Sequence, residues 1–283
     1  MKVIVAEKFG FCHGVRSAIR LAGQTLDRER GKAQVHSLGQ IIHNSDEVER
    51  LAEAGLQTVE KVDEIESGTV VIRSHGAAPQ LIAELKRRGL QIVDATCVLV
   101  KRVQEIAQEL EHDGYKVVII GDQDHPEVQA VVGCVQNVVV VADESSLDKL
   151  PKNGKLGVVC QTTQSLDQLA DMLRAIGKHG FDELKVINTL CKESMKRQDS
   201  AVELCKRVDV MFVLGGLQSA NTRKLAELCK AYNSETYHLE NWDQLTIEVL
   251  RGKKTAGVTA GASTPDRIIE HFVDNLKAYE SSV

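Results

Sequence analysis

The sequence predicts an α/β protein built from three similar units, each with a parallel sheet. Three cysteines each close a short apolar run: VIVAEKFGFC ends at Cys12, LQIVDATC at Cys97 and LKVINTLC at Cys191. The last two segments begin with Leu, end with Cys and have similar residue types at most positions between them. Because chance would rarely produce such a match, we infer that one structural unit occurs more than once.

The predicted secondary-structure elements that come after each cysteine follow the same order. An amphipathic helix and then an apolar strand lead to a glycine turn. The separations are 24 residues from Cys97 to Gly121, 24 from Cys191 to Gly215 and 27 from Cys12 to Gly39. A polar loop, a helix start and a second strand follow each glycine, as in GTVVIRSHG, KLGVVCQTT and KKTAGVTAG. Strands that alternate with helices favour parallel sheets, in which ligands bind at the carboxyl ends of the strands.

These repeats divide the chain into three predicted α/β domains, at residues 1–90, 91–184 and 185–283. A chain of 283 residues exceeds the usual size of one domain, but it divides comfortably into small domains that share an interface. We therefore expect a body of three lobes around a central cleft.

The composition is typical of a globular protein, with 43% hydrophobic and 27% charged residues. No stretch approaches the roughly 20 apolar residues of a membrane span, and MKVIVAEKFG lacks the features of a secretory signal, so we expect a cytoplasmic protein without membrane contact. Seven cysteines without a CxxC pair argue against a disulfide framework. A net charge of −5 and the lack of a lysine-arginine block argue against nucleic-acid binding.

The three repeated cysteines are candidate metal ligands. Cys12, Cys97 and Cys191 stand at strand-to-helix junctions, where backbone N–H groups and the helix dipole stabilise a thiolate. If the units pack around a pseudo-threefold axis, these thiolates converge on one point. A free cysteine usually fills space in a core, and we read the remaining four in that way: Cys134, Cys160, Cys205 and Cys229.

Three converging thiolates suit either zinc or an iron-sulfur cluster. Structural zinc normally takes four ligands from closely spaced pairs, whereas these cysteines lie 85 and 94 residues apart. A cluster is therefore the better choice. A cluster held by three cysteines leaves one iron without a protein ligand, so that this iron can act on a substrate as a Lewis acid while the cluster supplies electrons.

The other loops carry groups that suit a diphosphate or another polyanion, because histidine, hydroxyl and amide groups donate hydrogen bonds. A carboxylic acid among them is the expected proton donor. Any one of the serines or threonines alone would be read as a helix N-cap, and only the recurrence of the loops selects them. The candidates are His43, His75, His125, Glu127 and Thr162 in the first two units, and Ser219, Asn221 and Ser263 in the third.

Nine segments resemble the signature blocks of the 4-hydroxy-3-methylbut-2-enyl diphosphate reductase family, the last enzymes of the methylerythritol phosphate route to isoprenoids. They are FCHGV, IIHN, RSHG, DATC, HPEV, QTT, NTLC, SANT and TAGASTPD, in order from residue 1 to about residue 270. The resemblance implies three α/β domains in a trefoil-like arrangement around a central cluster. It implies one [4Fe-4S] cluster per chain, held by Cys12, Cys97 and Cys191.

The resemblance also implies a role for each loop residue. It assigns the substrate diphosphate to His43, His75, Ser219, Asn221 and Ser263. It places His125, Thr162 and Glu127 around the substrate hydroxyl, with Glu127 feeding protons. The implied reaction is the reductive dehydroxylation of this small allylic diphosphate to isopentenyl diphosphate and dimethylallyl diphosphate. A ferredoxin or a flavodoxin is the implied electron donor.

The chain departs from the family pattern at four positions. Val98 stands in place of a proline, Leu217 and Ala220 remove a cation and a hydroxyl, and Glu193 adds an acid near the anion site. These changes keep open a paralogue of the same fold that acts on another anionic substrate. A non-catalytic iron-sulfur redox sensor ranks lower, because a sensor has no use for phosphate-binding donors and an acid. A structural zinc protein ranks lowest.

Overall fold

The structure of the protein is a computed structural model that describes residues 1–279. These residues form three parallel sheets of four strands each, with helices between the strands. The predicted α/β fold class and the parallel sheets are therefore confirmed. Each sheet is named below after one of its two central strands.

The order of strands is the same in all three sheets when each is read from one edge to the other. The β2 sheet has the order β3-β2-β4-β5, at Leu56–Val59, Val35–Leu38, Thr69–Ile72 and Gln91–Asp94. The β6 sheet has the order β7-β6-β8-β9, at Val138–Val141, Lys116–Ile120, Lys155–Cys160 and Glu183–Val186. The β10 sheet has the order β11-β10-β12-β1, at Thr236–Leu239, Val210–Leu214, Thr255–Ala260 and Lys2–Val5.

Helices connect the strands, and several begin at residues that the sequence marks as helix starts. Ser165 caps the helix α6 (Leu166–His179) by accepting the N–H of Gln168 at 3.1 Å, and prolines open α3 (Pro79–Arg87) and α5 (Pro126–Val132). No helix within residues 1–279 is long and apolar enough to cross a membrane. The α-helices are α1 His13–Glu29, α2 Ser45–Glu53, α3 Pro79–Arg87, α4 Val98–His112, α5 Pro126–Val132, α6 Leu166–His179, α7 Lys192–Cys205, α8 Ala220–Tyr232 and α9 Asp266–Ala278.

The strand that leads into each cysteine forms one edge of a sheet. β5 pairs with β4, β9 pairs with β8, and β1 pairs with β12. Strand pairing thus joins β1 to strands of the last third of the chain, although its sequence position lies in the predicted range 1–90. It likewise joins β5, which begins the predicted range 91–184, to strands 35–72. The three domain ranges themselves stay a prediction.

The chain divides into two compact units. Unit 1 comprises residues 1–16, 42–51 and the described chain from Lys192 onward, and it contains the β10 sheet. In its core Phe212 of β10 packs against Phe272 of α9, with ring centroids 5.2 Å apart. Unit 2 comprises residues 17–41 and 52–191 and contains the β2 and β6 sheets. In unit 2, Leu110 of α4 and Ile119 of β6 belong to one buried apolar cluster.

The β2 strand buries a histidine, which gives unit 2 a predicted pH dependence. His36 is buried, and desolvation lowers the pKa of its imidazole below the ordinary value of 6.5. As the pH falls below that value, the unfolded chain takes up a proton that the folded protein resists. We therefore expect the free energy of unfolding to fall between pH 7 and 5, by at most about 1.4 kcal/mol per pH unit.

This dependence can be tested by measuring stability across that pH range for His36→Gln. The variant should show a flatter pH slope than the unmodified protein, because the titrating ring is gone. His112→Gln, at an exposed position near the end of α4, is the matched control and should keep the original slope. Equal slopes for all three proteins would contradict the assignment to His36.

Candidate active site

Each sheet has a topological switch point between its two central strands. The connections that follow these two strands leave toward opposite edges of the sheet, and ligands of α/β proteins bind in the crevice that opens there. The switch points lie between β2 and β4, between β6 and β8, and between β10 and β12. The predicted substrate residues lie in the loops or first helical turns that follow these strands: His43, His75, His125, Glu127, Thr162, Ser219, Asn221 and Ser263.

The three predicted metal ligands have equivalent backbone positions. Each follows an edge strand and directly precedes the first residue of a helix. Each backbone N–H also donates to the carbonyl of the second residue beyond the neighbouring central strand. The pairs are Cys12 to Ala262 at 3.2 Å, Cys97 to Ser74 at 3.0 Å and Cys191 to Thr162 at 2.8 Å.

The chemistry of these three thiols fits a soft metal centre. All three are partly exposed, and the Cys12 sulfur accepts the N–H of Val15 at 3.4 Å in the first turn of α1. Backbone N–H groups of this kind stabilise a thiolate. By contrast, burial raises the pKa of the Cys134 and Cys160 thiols, which disfavours their thiolates. The meeting of Cys12, Cys97 and Cys191 at one cluster stays a prediction.

A side chain braces the loop before each cysteine through hydrogen bonds, and sequence patterns did not reveal these braces. Buried Arg197 donates to the carbonyl of Gly10 at 2.9 Å, ahead of Cys12. The Thr189 hydroxyl donates to the Cys160 carbonyl at 2.6 Å and accepts the Cys160 N–H at 2.8 Å, ahead of Cys191. Each of these contacts joins the cysteine loop to a part of the chain that is distant in sequence.

Asp94 has the same bracing role ahead of Cys97. Its carboxylate accepts the N–H of Thr96 at 2.9 Å and pairs with Lys101 at 2.6 Å. Burial would raise the pKa of Asp94, but the hydrogen bonds from Lys101 and Thr96 outweigh it and hold the pKa below its ordinary value. The aspartate is therefore charged at neutral pH and ties the cysteine loop to the first turn of α4.

Unit 2 contains a buried acid that is held by hydrogen bonds. Thr162 donates its N–H to one carboxylate oxygen of Glu127 at 2.6 Å and its hydroxyl to the other at 2.8 Å. Glu127 is only 3% exposed. Since the carbonyl of Thr162 accepts the N–H of Cys191, the acid, the hydroxyl and a predicted metal ligand belong to one hydrogen-bonded chain.

Two histidines of unit 2, His125 and His75, lie beside this acid. The Nδ1 atom of His125 accepts the N–H of Glu127 at 3.1 Å, so in the neutral ring the proton is on Nε2. The His75 ring meets the His125 ring edge to face, with centroids 5.4 Å apart. The structure therefore brings together four predicted residues of this unit: His75, His125, Glu127 and Thr162.

Unit 1 brings together a second group of predicted residues. The Ser263 hydroxyl donates to the carbonyl of His43 at 3.1 Å, and a Cβ at Gly216 would lie 2.8 Å from that carbonyl. Gly216 therefore lets the loop after β10 approach the His43 segment closely. Ser219 is the N-cap of α8, and the Asn221 amide oxygen accepts the hydroxyl of Ser194 at 3.3 Å.

The four departures from the family pattern lie at helix starts or in loops. Val98 and Ala220 are the first residues of α4 and α8, and Val98 is 68% exposed. Leu217 is partly exposed, and its backbone N–H donates to Glu240 at 3.1 Å. Glu193 lies exposed in the first turn of α7, one residue before Ser194. None of these side chains interrupts the contacts given above.

Arg267 ties α9 to the start of α2 within unit 1. Its guanidinium pairs with Glu47 at 2.8 Å and with Asp46 at 2.7 Å. The Glu47 side chain is 3% exposed and also pairs with Arg50, and the Glu47 N–H donates to Asn44 at 3.0 Å. This set of contacts follows His43 directly in the chain and fixes the segment that carries it.

Arg267→Gln should therefore destabilise unit 1. The change leaves the buried Glu47 carboxylate with Arg50 alone, and we expect the free energy of unfolding to fall by about 1–2 kcal/mol. Arg16→Gln is the matched control, because Arg16 pairs at 3.3 Å with exposed Asp266, the residue before Arg267. An exposed ion pair of this kind contributes at most about 1 kcal/mol to the free energy of unfolding. Denaturant titrations of both variants measure the difference. An equal loss in the two would show that Arg267 has no special role.

The three parallel sheets, with histidine, hydroxyl and acidic groups at their switch points, define the chain as an α/β enzyme. A sequence model of the family described as LytB protein matches residues 3–277. The chain belongs to this family. Relatives named 4-hydroxy-3-methylbut-2-enyl diphosphate reductase include those of Trichlorobacter lovleyi, 42% identical over the full length of both chains, and Geobacter sulfurreducens, 40% identical over 99% of each.

Solved structures agree with this assignment. The chain is similar to a structure of (E)-4-hydroxy-3-methyl-but-2-enyl diphosphate reductase, described as the terminal enzyme of the non-mevalonate pathway. The identity is 38%, the coverage is 99% of this chain and 100% of the other, and the TM-score is 0.72. The corresponding Plasmodium falciparum reductase is 26% identical, covers 98% of this chain and 88% of its own length, and gives a TM-score of 0.91. The chain is thus an oxidoreductase, as the sequence predicted.

Proposed function

We propose that this protein catalyses the reductive dehydroxylation of 4-hydroxy-3-methylbut-2-enyl diphosphate to isopentenyl diphosphate and dimethylallyl diphosphate. The names of full-length relatives at about 40% identity support this substrate. The observation that carries the proposal is the buried Glu127, which holds two hydrogen bonds from Thr162 beside the backbone of Cys191. A site that removes a hydroxyl group needs such a proton source.

We propose that Cys12, Cys97 and Cys191 hold one [4Fe-4S] cluster. Their equivalent backbone positions and their placement at helix starts support the assignment. When bound, a cluster with three protein ligands supplies electrons one at a time and Lewis-acid iron. The electrons come from a ferredoxin or a flavodoxin, and the cytoplasm is the proposed location.

Protons reach the substrate hydroxyl through Glu127 and Thr162. The Thr162 hydroxyl can donate and accept, so it can pass a proton from the carboxylic acid to a substrate oxygen. The overall reaction consumes two electrons and two protons and releases water. One proton leaves with the hydroxyl as water, and the second is added to a carbon of the allyl group, at either end. His125 binds and orients the same hydroxyl from its Nε2–H side.

The substrate diphosphate is bound by five residues from loops and a helix start at two switch points. His43, Ser219, Asn221 and Ser263 in unit 1 and His75 in unit 2 supply imidazole, hydroxyl and amide donors. Such donors bind a phosphate strongly when they are preorganised. The link from Ser263 to the His43 carbonyl and the approach of Gly216 preorganise this group in unit 1.

A paralogue with another anionic substrate is the second candidate. The partly exposed Leu217 favours it, because a family cation is absent there. Turnover of several allylic alcohols that differ in their anionic group separates the two candidates. A preference for the hydroxymethylbutenyl diphosphate supports the reductase.

Anaerobic purification with iron and sulfide analysis tests the proposal directly. An electron paramagnetic spectrum should show a four-iron cluster that changes when the hydroxymethylbutenyl diphosphate is added. Gas chromatography should then detect both isoprenoid products. Zinc in place of iron, or a spectrum indifferent to the substrate, would overturn the assignment.

A further inference from the structure

A cavity of about 210 Å³ lies at the switch point of the β2 sheet, inside unit 2. It is lined by the last residues of the two central strands, by the start of α3 and by α5. Arg73 is the only charged residue that lines it. The wall includes Leu38, Ile72, Leu81, Pro126 and Gln129. Such crevices beyond the carboxyl ends of parallel strands are where ligands bind.

Arg73 spans the opening between the two central strands. It is the first residue after β4, and its guanidinium lies over Gly39, the first residue after β2. A Cβ at Gly39 would lie 2.6 Å from the Nη1 atom of Arg73, and the backbone there has a φ of +70°. Only glycine suits both conditions. Gly39 therefore leaves space for the Arg73 guanidinium between the ends of the two strands.

The β6 sheet offers an internal comparison. Gln161 is the first residue after β8 and packs against Gly121, the first residue after β6. Its amide oxygen accepts the N–H of Asp122 at 3.1 Å, which closes that crevice with a bond inside the protein. Arg73 occupies the equivalent position, yet within residues 1–279 its guanidinium makes no hydrogen bond or ion pair and has only the longer-range influence of Glu60.

The environment of this guanidinium favours an anion. Burial lowers the pKa of Arg73, and the electrostatic influence of Glu60 opposes that effect only in part. Arginine keeps its proton even so, and a partly buried cation without a hydrogen-bonded counter-ion is costly. A planar guanidinium with its donors in a fork binds phosphate and carboxylate groups bidentately.

We propose that Arg73 and this cavity form a binding subsite for a phosphate-class oxyanion. The subsite is additional to the residues assigned above to the diphosphate. The anion is either the phosphoryl end of the allylic substrate or free inorganic phosphate, and the first alternative rests on the proposed function. The mostly apolar walls lower the local dielectric constant around the pair, which strengthens the attraction between guanidinium and anion.

Calorimetric titration of the anaerobically purified protein with inorganic phosphate, at constant ionic strength, tests the subsite. Arg73→Gln should weaken phosphate binding at least about tenfold, and Arg73→Lys should weaken it less, because lysine keeps the charge but loses the fork. Arg102→Gln, at an exposed arginine of α4, is the control and should bind like the unmodified protein. Phosphate that binds at other sites contributes equally to the titrations of all the variants, so it does not affect the differences between them.

Phosphate binding by Arg73→Gln that equals that of the unmodified protein overturns the proposal, and so does a lack of phosphate binding by the unmodified protein. If Arg73→Gln fails to fold, phosphate binding by Arg73→Lys that equals that of the unmodified protein overturns the proposal instead.

Steady-state kinetics of the Arg73 variant identify the source of the anion. A raised KM for the allylic diphosphate at unchanged kcat identifies the substrate, whereas an unchanged KM with lost phosphate binding identifies free phosphate. Absence of turnover by the unmodified protein would count against the proposed function alone, since the titration needs no turnover.

Discussion

Replacing Glu127 by glutamine should lower kcat by roughly 10²–10⁴-fold, the usual contribution of a general acid. Glutamine has nearly the same shape and can still accept the N–H of Thr162, so the buried hydrogen-bonded site should persist. It cannot release a proton to the substrate hydroxyl. We therefore expect a protein with normal iron content and normal substrate affinity that turns over very slowly. Anaerobic steady-state kinetics measure the turnover.

Two substitutions at Thr162 control this experiment. Thr162→Ser keeps the hydroxyl that donates to Glu127, and it should retain most of the activity. Thr162→Val removes the hydroxyl at similar volume, leaves the carboxylate with the N–H bond alone, and should lose activity as Glu127→Gln does. Full activity in Glu127→Gln would rule out its role as the proton source. Loss of iron in that variant would instead indicate a structural role.

Cys191→Ser should abolish the metal centre. A serine hydroxyl is a hard ligand with a high pKa, and it binds soft iron-sulfur centres poorly. We expect the iron content after anaerobic reconstitution to fall below about a tenth of the unmodified level, with complete loss of turnover. The backbone bond from residue 191 to Thr162 does not involve the sulfur, so the fold of this loop should survive.

Cys134→Ser is the matched control for this loss. Cys134 is also a free, partly exposed cysteine of unit 2, and its thiol donates to the carbonyl of Ala130 at 3.2 Å. A serine hydroxyl can make the same bond. Iron content and turnover should therefore stay normal in this variant. Equal iron in Cys191→Ser and Cys134→Ser would refute the assignment of Cys191.

The sequence predicted the α/β class and the parallel sheets because both depend on local patterns. Apolar runs, helical periodicity and glycine turns lie within short windows, and their recurrence located the ends of the central strands. The polar residues of those loops could therefore be selected together. In unit 2 the structure brings His75, His125, Glu127 and Thr162 into one group.

The sequence could not predict which strands are neighbours. The apolar run at β1 indicates a strand, but its partner β12 lies some 250 residues away, and no local pattern encodes that pairing. The braces before Cys12 and Cys191 were missed for the same reason. Arg197 acts on Gly10 and Thr189 acts on Cys160, and each looks like an ordinary polar residue until the chain is folded.

The pairing of β1 with β12 has a consequence for the order of events during synthesis. The β2 and β6 sheets consist of strands from consecutive stretches of the chain, so each can form while the ribosome is still at work. The first strand must wait until residues 255–260 emerge, and the Cys12 N–H must wait for Ala262. A nascent chain therefore has the loops of Cys97 and Cys191 ready before that of Cys12. If the three thiols hold one cluster as proposed, insertion of that cluster comes late in maturation, after the last strands have emerged.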